Sequence, residues 1–124
     1  ASVTLDLKEI NVCKLQSRAF MSVQHQRVNL SILKFEGGGI REIEDLAFAD
    51  SALCSHLTVL RLARNEIEIV QSETFAGLDS LKELNMEQNK LRIVETDAFL
   101  RLPLLESASF DQNFIEFKQT NSKK

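Results

Sequence analysis

Apolar positions along this chain recur on a fixed cycle. Leu57, Leu60, Leu62, Ile67, Val70, Phe75 and Leu78 return as Leu81, Leu84, Met86, Leu91, Val94, Phe99 and Leu102, and the polar Asn65 returns as Asn89. Each pair is 24 residues apart (81 − 57 = 24, 99 − 75 = 24). No single helix or hairpin produces such a period, whereas a stack of similar units does, each covering the apolar side of its neighbour. Within LTVLRLA the alternation sets Leu60 and Leu62 on one side and Val59, Arg61 and Ala63 on the other, which predicts a short strand. Every unit runs the same way, so these strands form a parallel sheet. The segment from Ile67 to Leu78 must carry the chain back to the next strand. Ser72 or Asp97, ahead of Phe75 or Phe99, is placed to cap a single helical or 3₁₀ turn on that return.

Reading outward, the cycle loosens. Phe48 stands where Phe75 does, which sets an earlier unit on Leu30, Leu33, Phe35, Gly38, Ile40 and Ile43. That unit is 27 residues long (57 − 30 = 27), with its extra length in ADSALCSH. Phe20 anchors a first unit through Leu5, Leu7, Val12 and Leu15, followed by the stretch MSVQHQRVN. Toward the other end Leu105, Phe110, Asn113 and Ile115 keep the phase before it fails: Ala108 replaces a leucine and Lys118 stands where Val70 and Val94 stood. The expected organisation is four whole units and a partial fifth over residues 1–117, then a polar tail at 118–124. Phe114 and Phe117 either expose an open end or close it; the closing role is the preferred one. Each large apolar side chain fully buried by stacking contributes about 1.5–3 kcal/mol, so about seven per unit supply the stability.

Composition narrows the function more by exclusion than by indication. A net charge of −3, with 15 Lys and Arg against 18 Asp and Glu, and no Lys/Arg cluster beyond the terminal Lys123 and Lys124, argue against nucleic acid, whose binding needs several clustered cations to replace counterions. No apolar run reaches the roughly 18–20 residues of a membrane span, and the opening ASVTLDL is patterned as a strand rather than as a secretion signal. Two cysteines, Cys13 and Cys54, are too few for a disulfide scaffold and lack metal-ligand spacing. They read as buried or half-buried thiols, or as partners for a cysteine elsewhere if the protein is extracellular. The run Gly37-Gly38-Gly39 is not followed by Lys-Ser/Thr, so it reads as a turn rather than a phosphate loop. His25 and His56 fall in the two insertions, with no oriented nucleophile beside them. No cofactor is expected, and no enzyme.

The pattern L-x-x-L-x-L-x-x-N-x-[IL], with a phenylalanine eight residues beyond its last apolar position, resembles the leucine-rich repeat. The 24-residue period with ETFAGL and DAFLRL is similar to the subtype found in extracellular proteins, including Toll-type receptors, Slit-type guidance proteins and arthropod immune factors. The resemblance implies an α/β fold, a right-handed parallel β/α solenoid with its strands on the concave face, and a role in protein recognition at the cell surface or outside the cell, with a cytoplasmic site as the alternative. It also implies a structural ladder of Asn65, Asn89 and Asn113, whose amides satisfy turn groups buried by stacking. Ile10 and Gly38 stand in place of that asparagine in the first two units, so their turns should be irregular. Phe20, Phe48, Phe75 and Phe99 are expected to line the return side as an aromatic spine. Cysteine-rich caps, usual in extracellular members, are missing from both ends of the sequence, so the chain either continues into further repeats or buries its ends by association, as in a homo-oligomer.

Function would then lie on the side chains alternating outward from the strands: Thr4, Asp6 and Lys8; Ile32, Lys34 and Glu36; Val59, Arg61 and Ala63; Glu83, Asn85 and Glu87; Ser107, Ser109 and Asp111. Lys34 and Arg61 lie toward the middle, whereas Glu83, Glu87, Glu106 and Asp111 gather toward the C-terminal end. A solvated face is the plain alternative to a binding face. If this face binds a protein, the acidic half suits a basic surface, with Lys34, Arg61, Glu83, Asn85, Glu87, Ser109 and Asp111 as contacts. Asn29-Leu30-Ser31 matches a glycosylation acceptor and adds slight support for secretion.

Overall fold

The computed structural model describes residues 3–7, 13–19 and 30–118. In chain order these form β1 (Val3–Asp6), β2 (Lys14–Leu15), β3 (Leu30–Lys34), β4 (Glu42–Ile43), a helical turn α1 (Ala52–Ser55), β5 (Val59–Arg61), β6 (Ile69–Val70), β7 (Glu83–Asn85), β8 (Ile93–Glu95), a 3₁₀ turn (Thr96–Arg101), β9 (Ser107–Ser109) and β10 (Glu116–Lys118). The odd-numbered strands make one five-stranded sheet in the order β1-β3-β5-β7-β9. The return limbs supply two smaller sheets, β2-β4 and β10-β8-β6. All pairings are parallel. The chain is thus a parallel β-solenoid whose core lies between the long sheet and the return limbs.

Inward positions of the long sheet are buried at Leu30, Leu33, Leu60 and Leu84. They meet Ile43, Val70 and Val94 of the return limbs, with Phe48, Phe75, Leu57, Leu81, Leu78 and Leu102 filling the space between. Phe99 is half-buried and meets Phe110 edge-to-face, ring centroids 5.8 Å apart. Phe20 and Asn29 lie outside the described residues. The insertion ADSALCSH forms α1, where the Ser51 hydroxyl accepts a bond from the Cys54 N–H at 3.3 Å and Cys54 is buried.

Each return limb opens with a short paired strand, two residues in β4 and β6 and three in β8, followed by turns, with helical geometry among the described residues confined to α1 and the 3₁₀ turn. An extended residue advances the chain about twice as far as a helical one, so a short segment can recross the core. Asp97 does not cap the 3₁₀ turn. Its N-cap residue is Glu95, with no side-chain cap bond; the Glu95 carboxylate instead accepts from the Ser72 N–H at 3.1 Å, tying one unit to the next.

The asparagines work one unit back. Asn65 Oδ1 accepts from both Gly38 N–H and Ile40 N–H at 3.0 Å, and its Nδ2 donates to the Phe35 carbonyl at 2.6 Å and to Leu62 and Ala63. Asn89 likewise accepts from Ile67 N–H and donates to Leu62, Met86 and Glu87. Asn113 accepts from Leu91 N–H and donates to Met86, Phe110 and Asp111. The turn at Gly38 is thus closed by an amide from the following unit, and it is irregular as expected: Gly39 adds a second left-handed residue, φ 79°, where the later turns at Glu66 and Lys90 have none. Just before each amide the backbone turns left-handed, at Arg64, Gln88 and Gln112 with φ of 57°, 57° and 60° and at Gly37 with φ of 71°. That geometry lets the residue donate to the next unit: Gly37 to Ala63, Arg64 to Glu87 and Gln88 to Asp111, at 2.9–3.2 Å.

Three other positions depart from the periodic reading. Ala63 is buried rather than outward, because β5 ends at Arg61 and alternation stops with it. Phe117, not Lys118, pairs with Val94, so the last unit is one residue short and β10 runs through Lys118. Phe114 is 74% exposed and does not close the core. Ile115, Leu105 and Phe110, the residues of that unit packed against the core, are only partly buried.

Candidate functional site

The outward side of the long sheet is built by register. Thr4, Ile32, Val59, Glu83 and Ser107 stand side by side in one row, and Asp6, Lys34, Arg61, Asn85 and Ser109 in the next. A period-2 strand repeated at constant phase brings these residues together: neighbouring strands are about 4.8 Å apart, and same-side residues along a strand about 6.7 Å. The third expected row does not lie on strands. Glu36, Ala63, Glu87 and Asp111 follow the strand ends and belong to the turns, and Lys8 lies outside the described residues.

Within the two rows the polar groups differ in how far they are committed. Asn85 Oδ1 accepts the Glu87 N–H at 2.9 Å, which leaves its amide nitrogen for a ligand. Glu36 is held 3.5 Å from Arg64. Ile32, Val59, Lys34, Arg61, Asn85 and Ser109 are half-buried, whereas Glu83, Ser107 and Asp111 are exposed. A shallow hollow of about 210 Å³ lies over this face between Val59, Arg61, Glu83, Asn85, Ser107 and Ser109. It is too small and open to enclose a cofactor, and suits contact with another surface.

Away from this face, a larger open cleft of about 650 Å³ lies between Ser17, Arg41–Leu46, Glu68, Ile69 and Gln71. It marks the place where β4 and β6 do not pair although β2–β4 and β6–β8 do. The Gln71 N–H turns to the Thr74 hydroxyl of its own limb, at 2.8 Å, instead of reaching across. Glu44 on its wall has its carboxyl held below the ordinary range by the Ser17 N–H at 2.9 Å and then by Lys14, 3.3 Å away. His56 Nδ1 lies 2.9 Å from the Ala52 carbonyl and 3.2 Å from Ser55 Oγ, a local arrangement that closes α1. Burial pushes the Cys54 thiol up, partly offset by its contact with the Ser51 hydroxyl. Among the described residues no group of three or more His, Cys, Asp or Glu side chains is arranged to hold a metal ion, and no helix is long and apolar enough to cross a membrane.

Residues 55–113 match the leucine-rich repeat family model. The match supports placing this chain among leucine-rich repeat proteins, and such repeats generally serve as protein-interaction modules without catalytic activity of their own. A search of curated proteins finds no match to the chain. Periodicity alone could align the outward residues. It could not show that Ala63 drops out of the face, or which charges on the face are already paired.

Proposed function

We propose that this chain is a non-enzymatic protein-recognition module of a secreted or cell-surface protein, of the innate-immune or adhesion receptor type. In this reading residues 1–117 form four whole leucine-rich repeats and a partial fifth of a right-handed α/β solenoid, residues 118–124 are a polar tail, and the long sheet lines a concave face. The observation that carries it is the pair of in-register outward rows, which present half-buried aliphatic, cationic and amide groups on one rigid sheet. Rigid, partly desolvated groups lose little entropy on binding, which favours a sheet over a loop as a docking surface. Lys34, Arg61, Glu83, Asn85, Glu87, Ser109 and Asp111 are the proposed contacts. Asn29, in an acceptor triplet just ahead of β3, fits an extracellular setting.

The test is site-directed photocrosslinking in the native secretory or surface context, with the probe placed at Ser109 on the strand face or at Ile69 on a return limb. Adducts to a partner protein from Ser109 and none from Ile69 are expected. Adducts confined to Ile69 would move the site to the return side.

A second reading is structural: the last unit stacks on another subunit or on further chain. It is favoured by the exposure of Leu100, Leu104 and Phe114, at 77%, 51% and 74%, together with the open edge of β9. Light scattering distinguishes it, since a strict monomer across a wide concentration range contradicts self-assembly through that end.

A further inference from the structure

The described arginines divide sharply. Arg18, Arg41, Arg64, Arg92 and Arg101 each pair with a carboxylate of a neighbouring unit: Asp50, Glu66, Glu36, Glu68 and Glu73 respectively. Arg61 alone, among the described residues, has no carboxylate within ion-pair distance. Its register neighbour is Lys34, a second cation on the same side of the sheet. Like charges directly opposed on adjacent strands destabilise a sheet, and here both side chains are half-buried, so water screens them less than at a fully exposed site. Asp6 flanks Lys34 from β1 but forms no ion pair with it. A half-buried cationic pair in which Arg61 has no carboxylate of its own among the described residues is a site suited to an anion.

We propose that Lys34 and Arg61 together receive one carboxylate side chain from an extended acidic segment of a partner protein. The proposal rests on the strand face being the recognition surface, and it specifies the chemistry of what binds there. The strand spacing of about 4.8 Å sets the two cations so that one carboxylate can bridge them, and Arg61 can engage it through two parallel N–H bonds. One row along, Ile32 and Val59 are in register with each other and half-buried. They lie two residues from Lys34 and Arg61, the separation of same-side residues in an extended chain, so the segment carries an aliphatic residue two positions from its acid. A long polyanion fits poorly, because Asp6, Glu36 and Glu83 border the cations and repel charge beyond the first carboxylate.

The test uses the whole chain and a fluorescein-labelled peptide repeating Glu-Ser-Val-Ser, followed by fluorescence anisotropy at low salt. Matched peptides repeat Gln-Ser-Val-Ser, Lys-Ser-Val-Ser and Glu-Ser-Ser-Ser, and single-stranded oligothymidylate supplies a polyanion without aliphatic groups. The expected result is binding of Glu-Ser-Val-Ser, weakened by about tenfold or more in each matched peptide, in Lys34→Gln with Arg61→Gln, and in high salt, as loss of charge-assisted bonds requires. No binding of Glu-Ser-Val-Ser, or equal binding of the Gln peptide, overturns the proposal. Stronger binding of oligothymidylate, lost in the same double substitution, replaces it with a nucleic-acid site. Preference for the Lys peptide, lost in Glu83→Lys with Glu87→Lys, overturns the acidic assignment while leaving the strand face as a protein-recognition surface.

Discussion

Replacing the ladder asparagines by alanine should produce a graded loss of stability whose order follows from the bonds each amide makes. In Asn89→Ala the three carbonyls it serves keep other donors: Leu62 keeps Asn65 Nδ2, Met86 keeps Asn113 Nδ2 and Glu87 keeps the Arg64 N–H. The orphaned group is the N–H of Ile67, a residue only 1% exposed, which loses its acceptor at 3.1 Å. One buried unsatisfied donor costs about 1–3 kcal/mol. Asn65→Ala orphans two N–H groups, those of Gly38 and Ile40, so its cost should approach double, about 2–5 kcal/mol. Asn113→Ala also releases one N–H, that of Leu91, a residue 0% exposed, but Asn113 is itself half-buried, so water can enter from its side and the cost falls to the lower end, about 1 kcal/mol. Urea unfolding followed by far-ultraviolet circular dichroism gives each difference from the transition midpoint, provided the slope is unchanged. The expected order is Asn65, then Asn89, then Asn113. Equal losses at all three sites, or the largest loss at Asn113, would refute the argument that these amides act by closing the turn of the preceding unit.

Gly77 has φ of 101°, and a Cβ there would stand 2.5 Å from the Phe48 carbonyl oxygen and 2.8 Å from Ala49 Cα. Those are backbone atoms that cannot rotate aside, so Gly77→Ala should cost about 2–4 kcal/mol, read as a fall in thermal midpoint; an unchanged midpoint would contradict this packing. The depressed carboxyl of Glu44 adds stability that is present above the ordinary carboxylate range and is lost as pH falls through its lowered folded value. Glu44→Gln should therefore shrink the drop in midpoint between neutral pH and about pH 3, whereas a larger drop would reverse the sign worked out here. Cys13 is exposed and Cys54 buried with its thiol pushed up, so a thiol reagent at neutral pH should count one fast thiol in the native protein and two after unfolding. Rapid reaction of both in the native state would place Cys54 outside the core.

Repetition made the architecture legible before any coordinate. A period of 24 residues with alternation inside it leaves one way for Leu33, Leu60 and Leu84 to share a core, and the same phase aligns Lys34, Arg61, Asn85 and Ser109 across strands. That inference is strong because every unit must solve the same burial problem beside the same neighbour. The sequence alone thus determined the length of the unit, the parallel sense of its strands and the side each residue takes within them.

What it left open depends on how one unit is displaced against the next, which a one-dimensional pattern does not carry. Tertiary structure decided that Asn65 closes the turn at Gly38 as well as bonding within its own. It also decided that Phe117 slips into the register of Val94, that Ala63 turns inward and that β4 and β6 stay apart. The same holds for the charges. Arg18, Arg41, Arg64, Arg92 and Arg101 look no different from Arg61 along the chain. Only the stacking shows that each of those five has a carboxylate brought to it by a neighbouring unit, while Arg61, which the repeat phase already sets beside Lys34, has none among the described residues, because ion pairing depends on distance across the stack and not on position in the repeat.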